Sequence, residues 1–348
     1  MHPDETVPAS DEVLREAALR RLQRRYMAEG QFILPAVPAL LEQYVDLVAN
    51  HFALLARLMS AEELAALRTV LSSALHESYE AAAQSNVFLR YRVERTATAG
   101  ISYEVASAKS SLPEEYDYWV KTRAGSLFGT HPDAKVMDTA SALGSAQGVS
   151  VLDVGAGTGR NSLPLARAGH PTTALELSSA LVEVFVDGLQ GESCQVQVLC
   201  GDIFDETLAI PGAPFQLAVV AEVIPHLRSV EQLGRLFRRL ASLVVPGGTL
   251  LTSMFLVRPE CEPDDTLRQI GQVLWSSFFT RQELEAALAG SPWRIESEDS
   301  VLEYERSHLP PAAWPPTRWF ESWASGRDVF DLPAESCPIE LRWLVLKR

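Results

Sequence analysis

The stretch Val151-Leu152-Asp153-Val154-Gly155-Ala156-Gly157-Thr158-Gly159-Arg160-Asn161 reads as a buried strand running into a glycine turn and then a helix. Glycines at 155, 157 and 159 let the backbone turn tightly and approach a ligand that a Cβ would exclude. Their spacing is Gly-x-Gly-x-Gly, whereas the dinucleotide fingerprint is Gly-x-Gly-x-x-Gly, so a pyrophosphate binder is disfavoured. Downstream, strands alternate with helices, the mark of a parallel sheet covered on both faces. Strands are expected at Val151–Val154, Thr172–Leu175, Gln195–Leu199, Phe215–Val220, Thr249–Phe255, Arg294–Tyr304 and Ile339–Leu346.

Two carboxylates fall at the carboxyl edge of that sheet. Glu176 ends the second strand, where it can accept hydrogen bonds from both hydroxyls of a ribose. Asp202, in Gly201-Asp202-Ile203, ends the third and suits an exocyclic adenine amine. Asp153, just before the turn, can serve an ammonium group. The set suits a ligand with adenine, ribose and a zwitterionic amino-acid tail, without phosphate.

These motifs resemble the class I S-adenosylmethionine-dependent methyltransferases over residues 150–348, a Pro246-Gly247-Gly248-Thr249 turn included. The resemblance implies an α/β fold, a seven-stranded Rossmann-like sheet with helices on both faces and its final strand antiparallel. It implies S-adenosyl-L-methionine as cofactor, with Glu176 on the ribose and Asp202 near the adenine. The implied cofactor-lining set is Asp153, Gly155, Ala156, Gly157, Gly159, Asn161, Glu176, Leu177, Asp202, Ile203 and Ala221. The run Gly159-Arg160-Asn161-Ser162-Leu163 is also similar to that of tellurite-resistance and thiopurine-type methyltransferases, over one motif only. After the fourth strand stands Ala221-Glu222-Val223-Ile224-Pro225-His226, not the Asn/Asp-Pro-Pro-aromatic motif of the family's base- and amide-methylating members.

Methyl transfer is an in-line displacement, so positioning supplies much of the rate and a base is needed only for a protonated nucleophile. Candidates for acid-base or acceptor contacts are His226 and Glu222 beside the fourth strand, and His308 at the head of an aromatic insertion, residues 306–338. Candidate substrate contacts are Tyr116, Tyr118, Trp119 and Arg123, in a segment placed to cover the cofactor, with Trp314 and Trp319 from the insertion. For each aromatic the alternative is plain core packing.

The 348 residues suit two domains, expected as a helical N-terminal cap or dimerisation region over 1–110 and a methyltransferase domain over 111–348. Helices are read around Leu14 to Leu22, from Leu40 to Met59, and from Ala61 to Ala83 behind a Ser60/Glu63 capping box. Residues 86–148 read as an irregular connector. A second capping box, Thr280/Glu283, opens a helix ending near Gly290.

Lys+Arg number 30 against 45 Asp+Glu, a net charge of −15, and no basic run is longer than short pairs such as Arg20-Arg21 and Arg24-Arg25. This disfavours a nucleic-acid partner. Phe32–Leu41 is too short and Pro-broken to cross a bilayer. The acidic start Met1-His2-Pro3-Asp4-Glu5 does not look like a signal peptide, so a cytoplasmic location is expected. Cys194, Cys200, Cys261 and Cys337 lack metal-ligand spacing and read as packed thiols, with no metal implied. The leading expectation is methylation of O, N or S on a small metabolite or natural-product intermediate. A peptide or protein acceptor, and a non-catalytic dimerisation protein on the same fold, are the alternatives, and a homodimer is left open.

Overall fold

The computed structural model describes residues 10–23, 27–93 and 101–348. The Met1–Glu5 segment and the Arg24-Arg25 pair lie outside the described residues. The chain divides into two compact units, Met1–Ser110 and Ser111–Arg348.

The first unit holds α1 (Asp11–Gln23), β1 (Glu29–Pro35), α2 (Leu41–Leu54), α3 (Ala61–Ala81), β2 (Asn86–Val93) and β3 (Ile101–Ala108). It is not the purely helical region read from sequence. The three strands form an antiparallel sheet with β2 in the centre. In β2, Val87, Leu89 and Val93 are buried while Arg90 and Arg92 are exposed, the two-residue period of a strand with one wet face. Of these, Val87 and Leu89 meet Val45, Val48 and Phe52 of α2 and Leu67, Leu71 and Leu75 of α3 in one core. The Ser60/Glu63 capping box is formed, each residue's side chain bonding the other's backbone N–H.

The second unit carries α4 (Leu112–Thr122), α5 (Ala134–Ala142), β4 (Val151–Val154), α6 (Ser162–Arg167), β5 (Thr172–Glu176), α7 (Ser179–Gly188), β6 (Val196–Cys200) and β7 (Phe215–Val220). It continues with α8 (Val230–Leu243), β8 (Val244–Val257), α9 (Asp265–Val273), β9 (Phe278–Phe279), α10 (Arg281–Leu288), β10 (Arg294–Ser300), α11 (Val301–His308), α12 (Phe320–Ala324) and β11 (Ile339–Lys347). The sheet order is β10-β11-β8-β7-β4-β5-β6, and the two-residue β9 pairs with β8 as an eighth strand. Every pairing is parallel except those of β11 with β8 and β10. The order reverses at β4, whose neighbours are β5 and β7, and a crevice opens beyond the carboxyl ends of these strands.

One face of the sheet packs on α8 and α10 through Leu233, Leu236, Phe237, Leu240 and Leu284. The other packs on α5, α11 and α12 through Val136, Val301, Phe320 and Trp323. The strand expected over Arg294–Tyr304 stops at Ser300, whose hydroxyl accepts from the Glu303 N–H and starts α11 instead. The connector over 86–148 is not irregular: it contains β2, β3, α4 and α5.

Candidate active site

The glycine turn after β4 brings backbone to the sheet edge in conformations that L side chains rarely adopt, with φ of 71° at Gly155 and 56° at Gly157. A Cβ on Gly155 would overlap Val223, and one on Gly157 would project beside Phe128, which lines the same cavity. Gly159 does not line the cavity; its missing side chain makes room for Phe185 beneath the turn.

The cavity measures about 630 Å³ and opens across the carboxyl ends of β4, β5, β6 and β7. On one side stand the residues expected for the cofactor. Glu176, 5% exposed, accepts from the Gly157 N–H (2.8 Å) and the Ser178 N–H (2.9 Å). Burial raises its pKa, and these backbone donors offset only part of that rise. Asp202 is exposed and accepts from the Phe204 N–H at 2.8 Å. Asp153 accepts from the Ser162 hydroxyl at 2.5 Å, and burial pushes its carboxyl up to about 7. Ala156, Leu177, Ile203 and Ala221 also line this side. Asn161 lines it too, but both ends of its amide are bonded to Asp133 at 2.9 Å.

The other side is aromatic. Leu112, Tyr116, Trp119 and Arg123 form one stripe of α4 and the residue that caps it, spaced three and four apart as a helical face requires. Trp119 stacks on Trp275 with centroids 4.6 Å apart, and the Arg123 guanidinium lies 3.6 Å from the Trp119 ring centre. Trp319 and Trp323 continue the wall. Trp275 adopts a φ of 59°, and its carbonyl accepts from the Trp323 indole at 3.2 Å.

His226 and Tyr116 sit where the two sides meet, with the Tyr116 hydroxyl 2.9 Å from His226 Nε2. Burial lowers the His226 pKa to about 4, so the imidazole is neutral at physiological pH. Burial and nearby Glu176 and Glu222 raise the Tyr116 phenol, which therefore keeps its proton. His226 Nδ1 is buried without a hydrogen-bond partner among the described residues. A histidine whose folded pKa lies below its unfolded value of 6.5 favours folding above 6.5, and that contribution is lost as the pH falls through 4. The stability difference between wild type and His226→Asn, read from urea unfolding, should accordingly shrink on acidification from pH 6.5 to 4. The expected change is on the order of 2 kcal/mol after discounting for partial exposure. A pH-independent difference would contradict the buried neutral imidazole.

Three candidates fall outside the cavity. His308, in the last turn of α11, is exposed and stacks on Tyr304 with centroids 4.0 Å apart. Trp314 packs edge-on against Phe320 beneath Arg306. Tyr118 is 61% exposed, because the cavity takes the 112, 116 and 119 stripe of α4 and leaves 118 outside it. Conversely, the cavity contains Phe128, Trp275, Trp323 and Asp328, none of which the sequence singles out as a site residue. Among the described residues no cluster of His, Cys, Asp and Glu can hold a metal, and no helix is long and apolar enough to cross a membrane.

Residues 151–248 match a family described as a methyltransferase domain. Among curated proteins the chain is similar to the ubiquinone biosynthesis O-methyltransferase of Caulobacter vibrioides, 28% identical over 163 residues, covering 44% of this chain and 63% of that protein. The enzyme of the same description from Xanthomonas campestris is 34% identical over 117 residues, covering 34% of this chain and 47% of that protein. The chain thus spans less than two thirds of the length of these relatives. Among solved structures, geranyl diphosphate C-methyltransferase from Streptomyces coelicolor A3(2) is 14% identical with a TM-score of 0.49, covering 69% of this chain and 99% of that one. The [4+2]-cyclase SpnF is 16% identical with a TM-score of 0.45, covering 68% and 95%.

Proposed function

We infer that this chain, whose second unit carries the class I methyltransferase fold, is an S-adenosylmethionine-dependent methyltransferase acting on O, N or S of a small aromatic metabolite or natural-product intermediate. The observation that carries the reading is one continuous cavity with two chemically distinct sides, a glycine turn with carboxylates facing a wall of tryptophans. The residues fit the cofactor. Glu176 and Asp202 suit ribose hydroxyls and an adenine amine, and Asp153 suits an ammonium. The guanidinium beside the turn, Arg160, is occupied by Asp133 and Glu222, so nothing there invites a phosphate.

When bound, the cofactor supplies an electrophilic methyl group on a sulfonium. The protein's part is to bind, align and keep water out. Trp275, Trp319 and Trp323 give a flat acceptor apolar ring surface to lie against and displace water from the reacting end, while Trp119, covered by Trp275 on one face and by the Arg123 guanidinium on the other, backs that wall. His226, neutral above about pH 4, is a proton acceptor at the atom Tyr116 now occupies, so a protonated nucleophile enters by taking over or relaying through that hydrogen bond.

Isothermal titration with S-adenosylhomocysteine tests the reading: binding at one site is expected, and no heat of binding would overturn it. Gly157→Ala is expected to weaken that binding by about tenfold or more, since the methyl group enters the cavity and the left-handed backbone costs about 1–2 kcal/mol. Unchanged affinity in this variant would place the cofactor elsewhere.

A further inference from the structure

Three described residues other than glycine have positive φ, and two of them, Glu222 (60°) and Trp275 (59°), line this cavity. Such strain persists only where the surroundings over-determine it. At Glu222 they do. Its backbone N–H donates to the Ser253 hydroxyl oxygen on β8 at 2.8 Å, and its Oε1 accepts from Arg160 Nη2 at 2.8 Å. The other arm of Arg160 bonds Asp133, which is fixed by the Asn161 amide and leads into α5. The first N–H groups of α5 are held in turn by the buried Glu305, at 2.7 Å from Ala134 and 3.2 Å from Lys135, and Glu305 also accepts from the Trp343 indole at 3.1 Å. A chain of charged hydrogen bonds thus runs from the far strand β11 to one oxygen of Glu222. Its second oxygen, Oε2, has no hydrogen bond among the described residues.

A carboxylate fixed by one oxygen at a cavity wall, with the other left unbonded, is built to receive a donor. We propose that Glu222 selects the acceptor: its Oε2 receives an O–H or N–H group of a flat aromatic molecule stacked on the tryptophan wall, and acceptors bearing an anionic group there are rejected. Arg160 is the positioning residue: its guanidinium holds one Glu222 oxygen in the strained conformation and favours the carboxylate form against the effect of burial. A methyl ether offers no donor and loses the bond, while a carboxylate meets like charge in a desolvated site. The inference rests on the acceptor-site reading above.

The test titrates protein saturated with S-adenosylhomocysteine against 2-naphthol, 2-methoxynaphthalene and 2-naphthoate, following quenching of the cavity tryptophans. 2-Naphthol should bind about tenfold or more tighter than either of the others. In E222Q that preference should fall to about threefold or less, because an uncharged amide neither repels the carboxylate nor accepts as strongly. Arg160→Lys, which keeps the charge and loses the fork, should weaken 2-naphthol while preserving the order. Equal binding of the three ligands, an unchanged preference in E222Q, or no binding by any of them would overturn the proposal. Failure of S-adenosylhomocysteine to bind would instead overturn the methyltransferase reading itself, so the two failures are distinguishable.

Discussion

Arg160→Met is expected to lower the free energy of unfolding by about 3–5 kcal/mol. The guanidinium, with its side chain 9% exposed, lies between Asp133 at 2% and Glu222 at 20%. An intact buried ion pair adds little net stability, because desolvation cancels much of the attraction. Removing one partner is costly, because the other charge stays buried without compensation. Here one deletion strands two carboxylates. Burial already raises the Glu222 pKa and Arg160 opposes it, so without the guanidinium only the raising influence is left. A carboxylate whose folded pKa lies above its unfolded value destabilises as pH rises through that window and is relieved as pH falls. The deficit of Arg160→Met should therefore be largest at pH 7 to 8 and narrow towards pH 5. Adding Asp133→Asn should recover part of it by removing one stranded charge. A loss of less than about 1 kcal/mol in urea unfolding would show that the network is solvated and holds nothing.

Sequence reveals the glycine-turn side of the cavity and hides its aromatic side for one physical reason. The glycine turn, Glu176 and Asp202 each follow a strand of a parallel sheet, and such a sheet carries the carboxyl end of every strand to one edge. Local pattern and fold class together place them. The aromatic wall depends on contacts between distant segments. Tyr116 meets His226 across 110 positions, and Trp119 meets Trp275 through a helix and a loop that carry no shared signature. An aromatic-rich insertion is visible in the sequence, but which rings turn inward is settled by packing: Trp319 and Trp323 line the cavity, while Trp314 covers Phe320.

Some of the rest was legible. The Ser/Thr-x-x-Glu pattern that opens α3 and α10 also stands at Ser111/Glu114 and Ser300/Glu303. At Ser111 it forms a full capping box that starts α4, and at Ser300 the serine caps α11. The same signal marks the helix that carries Tyr116 and Trp119, and sets the end of β10 at Ser300. The strands of the first unit are masked differently. Arg90 and Arg92 interrupt the apolar run of β2, yet they are its wet face, bonded across the sheet to Gln31 and Glu29 of β1. Read with period two rather than as irregular, they mark the strand.

Glu176→Gln is expected to weaken S-adenosylhomocysteine binding by about 100-fold or more. In the structure both carboxylate oxygens face donors, Oε2 the Gly157 N–H and Oε1 the Ser178 N–H. An amide there must turn its NH₂ towards one of them, setting donor against donor, and has one acceptor oxygen for a position that needs two. The backbone at Gly157, which lines the cavity, then loses its anchor, and the ribose hydroxyls of the proposed cofactor lose a charged acceptor. Hydrogen bonds to a charged group contribute about 1.5–3 kcal/mol each, so forfeiting two gives at least about 3 kcal/mol, or about 100-fold. Asp202→Asn should cost far less, about tenfold at most, because Asp202 is exposed and water already competes for its oxygens. The contrast between the two variants separates a buried carboxylate that organises the turn from an exposed one that only touches its ligand. If Glu176→Gln bound within about threefold of wild type while its circular dichroism was unchanged, the ribose would have to lie elsewhere along the sheet edge.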